Sequence, residues 1–123
     1  MKRDWDLVRR ILLTVEEAAP GAHVMSHQFP DLDNPTLFEH VKVLKNAGYL
    51  EAQLLPLKTG HGGDDFVILG LPWDGHDLLA KMRSDTWWAK IKATAKEKGI
   101  EFTFDVVKTL AGPAAAAVLG IPT

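Results

Sequence analysis

A chain of 123 residues is one domain by size and long enough to bury a core without disulfide or metal staples. Its 46% apolar and 24% charged residues exclude a disordered polymer, and the absence of cysteine excludes disulfides, thiol chemistry and thiolate metal sites. A net charge of -2, from 14 Lys and Arg against 16 Asp and Glu, excludes a strongly basic chain but leaves room for a local basic face.

The opening Met1-Lys2-Arg3-Asp4-Trp5-Asp6 is charged. The apolar stretch Ile11-Leu12-Leu13 is too short for a signal-peptide core or a membrane span, so a cytoplasmic location without membrane contact is expected. Asp4 to about Ala18 reads as a first helix, capped by Asp4. Trp5, Val8, Ile11, Leu12, Val15 and Ala19 form its apolar stripe, and Pro20-Gly21 ends it. Ala22 to Gln28 is short and mixed, consistent with a brief strand. Phe29 to Pro35 is a turn or a single helical turn, with Asn34 as the expected cap and Pro35 at the first position of the next helix.

That second helix runs to about Ala47. Leu37, Val41, Leu44 and Gly48 share one side, Glu39, Lys42 and Asn46 the other, and Gly48 supplies a left-handed stop. Tyr49 to Leu57 and Phe66 to Leu71 are strand-like, joined by the glycine-rich Lys58 to Asp65, which suits a hairpin tip. From Trp73 a helical pattern continues to Glu97 or Lys98, ended by Gly99. A bend is expected near Ser84-Asp85, with Asp85 capping the second segment. A last helix is expected from Thr103 or Asp105 through Leu110 and Ala111, broken at Gly112-Pro113 before an alanine run.

Helix, short strand, turn, helix, strand, glycine-rich tip, strand, helices is the order of a winged helix-turn-helix. The expected fold is α+β, mainly α: a winged helix-turn-helix over 1–71 with a C-terminal helical extension over 72–123. The extension packs on the core or forms a dimer interface, in a single folded domain.

Three stretches resemble a bacterial and prophage family known as domain of unknown function 2513: Met1 to Leu12, Glu39 to Ala52, and Leu71 to Leu79 followed by Arg83-Ser84-Asp85-Thr86-Trp87. The resemblance covers most of the chain. It implies a winged-helix-like fold and phage or mobile-element settings, with no catalytic residues to carry over. One departure is Pro72, at the place where many winged-helix proteins have a capping threonine.

If the second helix enters a major groove, Thr36, Glu39, Lys42 and Asn46 face the bases, with Phe38 and Lys45 on the flank. Lys42 and Lys45 suit phosphate, Asn46 or Glu39 suits adenine or cytosine, and Lys58 and His61 of the hairpin suit the adjacent backbone. Asp31, Asp33, Glu39 and Asp64-Asp65 oppose this by repelling phosphate. The other reading of the same helix is a structural element facing solvent or a protein. Lys81, Arg83, Lys90, Lys92, Lys96 and Lys98 form no single stripe, since Lys90 and Lys92 diverge by about 200°.

Of His23, His27, His40, His61 and His76, the first two share a face but lack a third ligand at a recognisable spacing, so no metal or other cofactor is expected. His40 borders the apolar side of its helix and reads as a packed, hydrogen-bonded ring. His76-Asp77 lacks the companions of a phosphohydrolase, Gly60 to Gly63 lacks the lysine of a phosphate loop, and Ser26 and Ser84 have no nucleophile context. An enzyme is not expected. Trp87 and Trp88, about 100° apart on a helix, cannot both face one core. With Val107, Leu110 and Leu119 of the apolar tail they form the expected homodimer interface. The leading function is therefore a non-catalytic, transcription-regulator-like binder of double-stranded DNA. The alternative is a protein-interaction module that binds a host or phage partner on the same scaffold.

Overall fold

The computed structural model of the chain describes residues 3–55, 65–101, 103 and 106–107. The elements follow as α1 (Trp5–Glu17), β1 (Val24–Met25), a 3-10 turn (Ser26–Gln28), α2 (Asn34–Asn46), β2 (Glu51–Leu55), β3 (Asp65–Gly70), α3 (Trp73–Met82) and α4 (Asp85–Lys98). The protein is thus α+β and mainly helical, with one antiparallel sheet in the order β1-β3-β2. It divides into two compact units, Met1–Asp77 and Leu78–Thr123.

In the first unit the Asp4 carboxylate accepts from the Leu7 amide at 3.1 Å and starts α1. Of the expected apolar stripe of α1, Trp5, Val8, Ile11, Leu12 and Val15 are buried, joined by Leu7, while Ala19 lies beyond the end of the helix and is exposed. Gly21, with φ of 81°, turns the chain toward β1.

α2 begins one residue earlier than its proline suggests. Asp33, not Asn34, is the cap, accepting from the Thr36 amide at 2.9 Å. A proline is tolerated anywhere among the first amides, which have no partner inside the helix, so Pro35 permits either start. α2 ends where the Tyr49 amide reaches back to the Leu44 carbonyl at 2.9 Å across Gly48, whose φ is 87°.

The two runs on either side of the glycine-rich segment pair as an antiparallel ribbon: Ala52 faces Ile68, Gln53 faces Val67 and Leu54 faces Phe66. β1 adds to the other edge of β3, with Val24 beside Ile68 and Met25 beside Val67. Alternation sends Val24, Ala52, Phe66 and Ile68 inward, while Met25, Leu55 and Leu69 stay exposed on the outer face. α1 and α2 pack on each other and on the sheet.

Pro72 stands just before α3, where its carbonyl accepts from the His76 amide at 3.0 Å. The first turn is pressed so close to the chain entering β2 that a Cβ at Gly75 would overlap the Tyr49 carbonyl oxygen. Glycine is required here by space, not by φ.

In the second unit the helical pattern breaks before α4 as expected, but Ser84 is the cap, accepting from the Trp87 amide at 3.2 Å. Asp85 lies instead in the first turn, where helix dipoles favour a carboxylate. α4 ends at Gly99 with φ of 68°. The helix expected from Thr103 or Asp105 to Ala111 falls mostly outside the described residues.

Candidate nucleic-acid interface

At about 100° per residue, Pro35, Glu39, Lys42 and Asn46 fall within roughly 60° of one another on α2, opposite Leu37, Val41 and Leu44. The side chains obey this. Leu37, Val41 and Leu44 are buried, Pro35, Lys42 and Asn46 are exposed, and Thr36, Glu39 and Lys45 are half-buried. The arc therefore displays an amide, an ammonium and a carboxylate to solvent, immediately before the β2–β3 ribbon.

Phe38 corrects the sequence reading. It is only 7% exposed and belongs to the core, not to the flank of a contact surface. Phe38 and Lys45 occupy nearly the same shoulder of the helix, where side-chain chemistry decides burial: the ring is buried and the lysine only half-buried. Lys58 and His61 lie outside the described residues.

The acids that opposed the nucleic-acid reading are partly spoken for. The Arg10 guanidinium grips the Asp31 carboxylate with two parallel bonds of 2.8 and 2.7 Å and lies over the Phe29 ring, 5.4 Å from its centroid. These bonds, with a smaller contribution from Asp31's own backbone amide, hold the Asp31 carboxyl down at about 2, and they raise Arg10. Asp33 is held below the ordinary carboxylate range by the hydrogen bonds it receives from Thr36. Sequence reasoning missed the Arg10–Asp31 pair because the partners are 21 residues apart and belong to no periodic pattern.

His40 fixes α2 against the start of α1. It is 2% exposed, its Nε2 accepts from the Asp4 amide at 2.9 Å, and its Nδ1 lies 2.8 Å from the Thr36 carbonyl. Both contacts are satisfied by the tautomer that carries the proton on Nδ1. The ring thus ties the cap of one helix to the first turn of the other.

Of the residues expected at a dimer interface, Trp88 is 3% and Val107 1% exposed within the single chain. Neither has surface left to offer a second copy, which corrects that expectation for both. Trp87 is half-buried, and Leu110 and Leu119 lie outside the described residues. Among the described residues no group of three or more His, Asp or Glu is placed to hold a metal ion, and no helix is long and apolar enough to cross a membrane. One side chain that sequence reasoning left without a role is conspicuous: Trp73, at the start of α3, is 86% exposed.

An "Uncharacterized protein" of Haemophilus influenzae is similar to this chain, 35% identical over 112 residues that cover 90% of this chain and 92% of the relative. No solved structure matches the chain. The family model described as "Hypothetical protein (DUF2513)" matches residues 2–101, in agreement with the three stretches that resembled it, and the chain belongs to that family.

Proposed function

We propose that the protein is a winged-helix binder of double-stranded DNA, acting in transcription regulation by equilibrium binding without catalysis. In this reading α2 is the recognition helix and the β2–β3 ribbon the wing, with β1 as the short strand that completes the sheet. The observation that carries it is the solvent arc of α2, where Lys42 and Asn46 stand exposed beside Glu39 directly before the paired ribbon. Asn46 and Glu39 have the chemistry to read base edges, and Lys42 and Lys45 to neutralise phosphate. Engagement of Asp31 by Arg10 supports the reading, since the guanidinium offsets one of the carboxylates near the start of the helix; Asp33, bonded to the neutral Thr36 amide, keeps its charge.

The test is fluorescence anisotropy with a random 20-to-30-base-pair duplex, comparing wild type with the double variant Lys42→Glu, Lys45→Glu. Binding that weakens about tenfold or more is expected, because two phosphate contacts become repulsions. Equal affinity of the two proteins would remove α2 as the contact. A second reading, a protein-interaction module on the same scaffold, is favoured by the exposure of Trp73. The duplex itself separates the two: the second reading predicts no anisotropy change with DNA even at low salt, where phosphate contacts are strongest.

A further inference from the structure

We propose that the cleft beside Trp73 is a docking site for a protein segment that presents a basic side chain, an arginine or lysine laid against the indole with an apolar neighbour in the adjoining groove. This surface is distinct from the solvent arc of α2, and the inference does not depend on DNA binding.

Trp73 is 86% exposed, whereas Trp5 and Trp88 are buried and Trp87 half-buried. The largest apolar side chain is thus left in water at one position only among the described tryptophans. It is not on a loose end. Pro72 fixes the backbone entering the helix, the Pro72 carbonyl closes the first turn onto the His76 amide at 3.0 Å, and Gly75 lies hard against the Tyr49 carbonyl. An aromatic side chain on a pre-formed turn loses little freedom on binding, which is the character of an anchor at a protein interface.

Beside the indole is a cleft of about 300 Å³ lined by Glu51, Leu71, Pro72, Trp73 and His76. A second cleft of about 180 Å³ shares Leu71 and His76 with it and runs on to Leu69 and the turn that follows α1, at Ala19 and Pro20. The second cleft is mixed in character, with Val15, Pro20, Leu69 and Leu71 beside Glu16 and His76.

Charge complementarity selects the occupant. Glu51 lines the cleft, Asp77 shares the helix face of Trp73 one turn on, and Asp74 is adjacent and exposed. Neither 15–24, nor 51–55, nor 65–80, the segments that build this side, contains a single Lys or Arg. A carboxylate and an aromatic face converging on one opening attract a cation and repel phosphate. One exposed ring is not the closed aromatic cage that holds a free quaternary ammonium, and the neighbouring cleft adds Leu69, Leu71 and Pro20 as aliphatic surface. A side chain carried on a peptide uses both clefts.

The experiment is selection of an mRNA-displayed random dodecapeptide library on the wild-type protein, with counter-selection on Trp73→Ala. The expected peptides pair arginine or lysine with a leucine-class neighbour. Made synthetically, they shift the Trp73 indole N–H signal in NMR titrations and bind Glu51→Lys at least tenfold more weakly than wild type. The Lys42→Glu, Lys45→Glu variant binds them with unchanged affinity, which separates this site from the α2 face. The exposed position of Trp73 means that Trp73→Ala keeps the wild-type unfolding midpoint, so its loss of binding is not loss of fold. No enrichment, enriched peptides without a basic excess, or equal binding to Trp73→Ala or Glu51→Lys would each overturn the proposal.

Discussion

Asp31 is fully in reach of solvent, yet its carboxyl is held at about 2 against an ordinary 3.8, because a two-pronged guanidinium favours its charged form. A carboxyl whose folded value lies below its unfolded value contributes stability above the unfolded value. That contribution is lost as pH falls from about 4 through about 2. Exposure means that water and salt screen the pair, so its effect is clearer in the titration of the residue than in the stability of the whole protein. A carbon-detected NMR titration of the Asp31 carboxyl is expected to show a midpoint near 2, moving up toward 3.8 in Arg10→Ala. A midpoint that stays put in the variant means that Arg10 is not the cause. For function the pair matters because the same contact that quiets Asp31 also occupies Arg10, one of the few cations of the first unit.

At the scale of elements, the orientation of α2 rests on His40, which is bonded at both ring nitrogens and shut away from water. His40→Ala leaves the Asp4 amide without its acceptor and opens a void between two helices, a cost of about 2–4 kcal/mol in urea unfolding. A cost below about 0.5 kcal/mol, the size of an ordinary surface change, would mean that water or a neighbour replaces the ring and that the bridge is not structural. The order of elements was legible in the sequence because each rests on a local rule. The stripe from Trp5 to Val15, the glycines at 48 and 99, and the paired runs around the glycine-rich segment all needed only near neighbours. What was misread were choices between adjacent residues of similar chemistry. Asp33 stands before Asn34 and Ser84 before Asp85, each able to cap, and periodicity does not choose between them. Phe38 and Lys45 lie on one shoulder of α2, where the angle is neutral and burial is settled by what packs there. The Arg10–Asp31 grip and the acidic surroundings of Trp73 depend on chain segments meeting in space, which no local pattern encodes.

For the whole molecule, the net charge of -2 conceals an uneven distribution. Residues 1–77 hold seven Lys and Arg against twelve Asp and Glu, and residues 78–123 hold seven against four. A DNA-reading face on α2 therefore works with few cations of its own. If Lys42, Lys45 and Lys58 are the phosphate contacts, counterion release is small, and the logarithm of the binding constant falls against the logarithm of salt with a slope of about -2 to -3. The Lys42→Glu, Lys45→Glu variant is expected to flatten that slope by about 2, one charge for each phosphate surrendered. A wild-type slope of about -6 or steeper means that cations beyond Lys42, Lys45 and Lys58 meet the nucleic acid. Anisotropy titrations at four salt concentrations between 50 and 200 mM distinguish the two. A flat line at every concentration removes DNA as the ligand altogether.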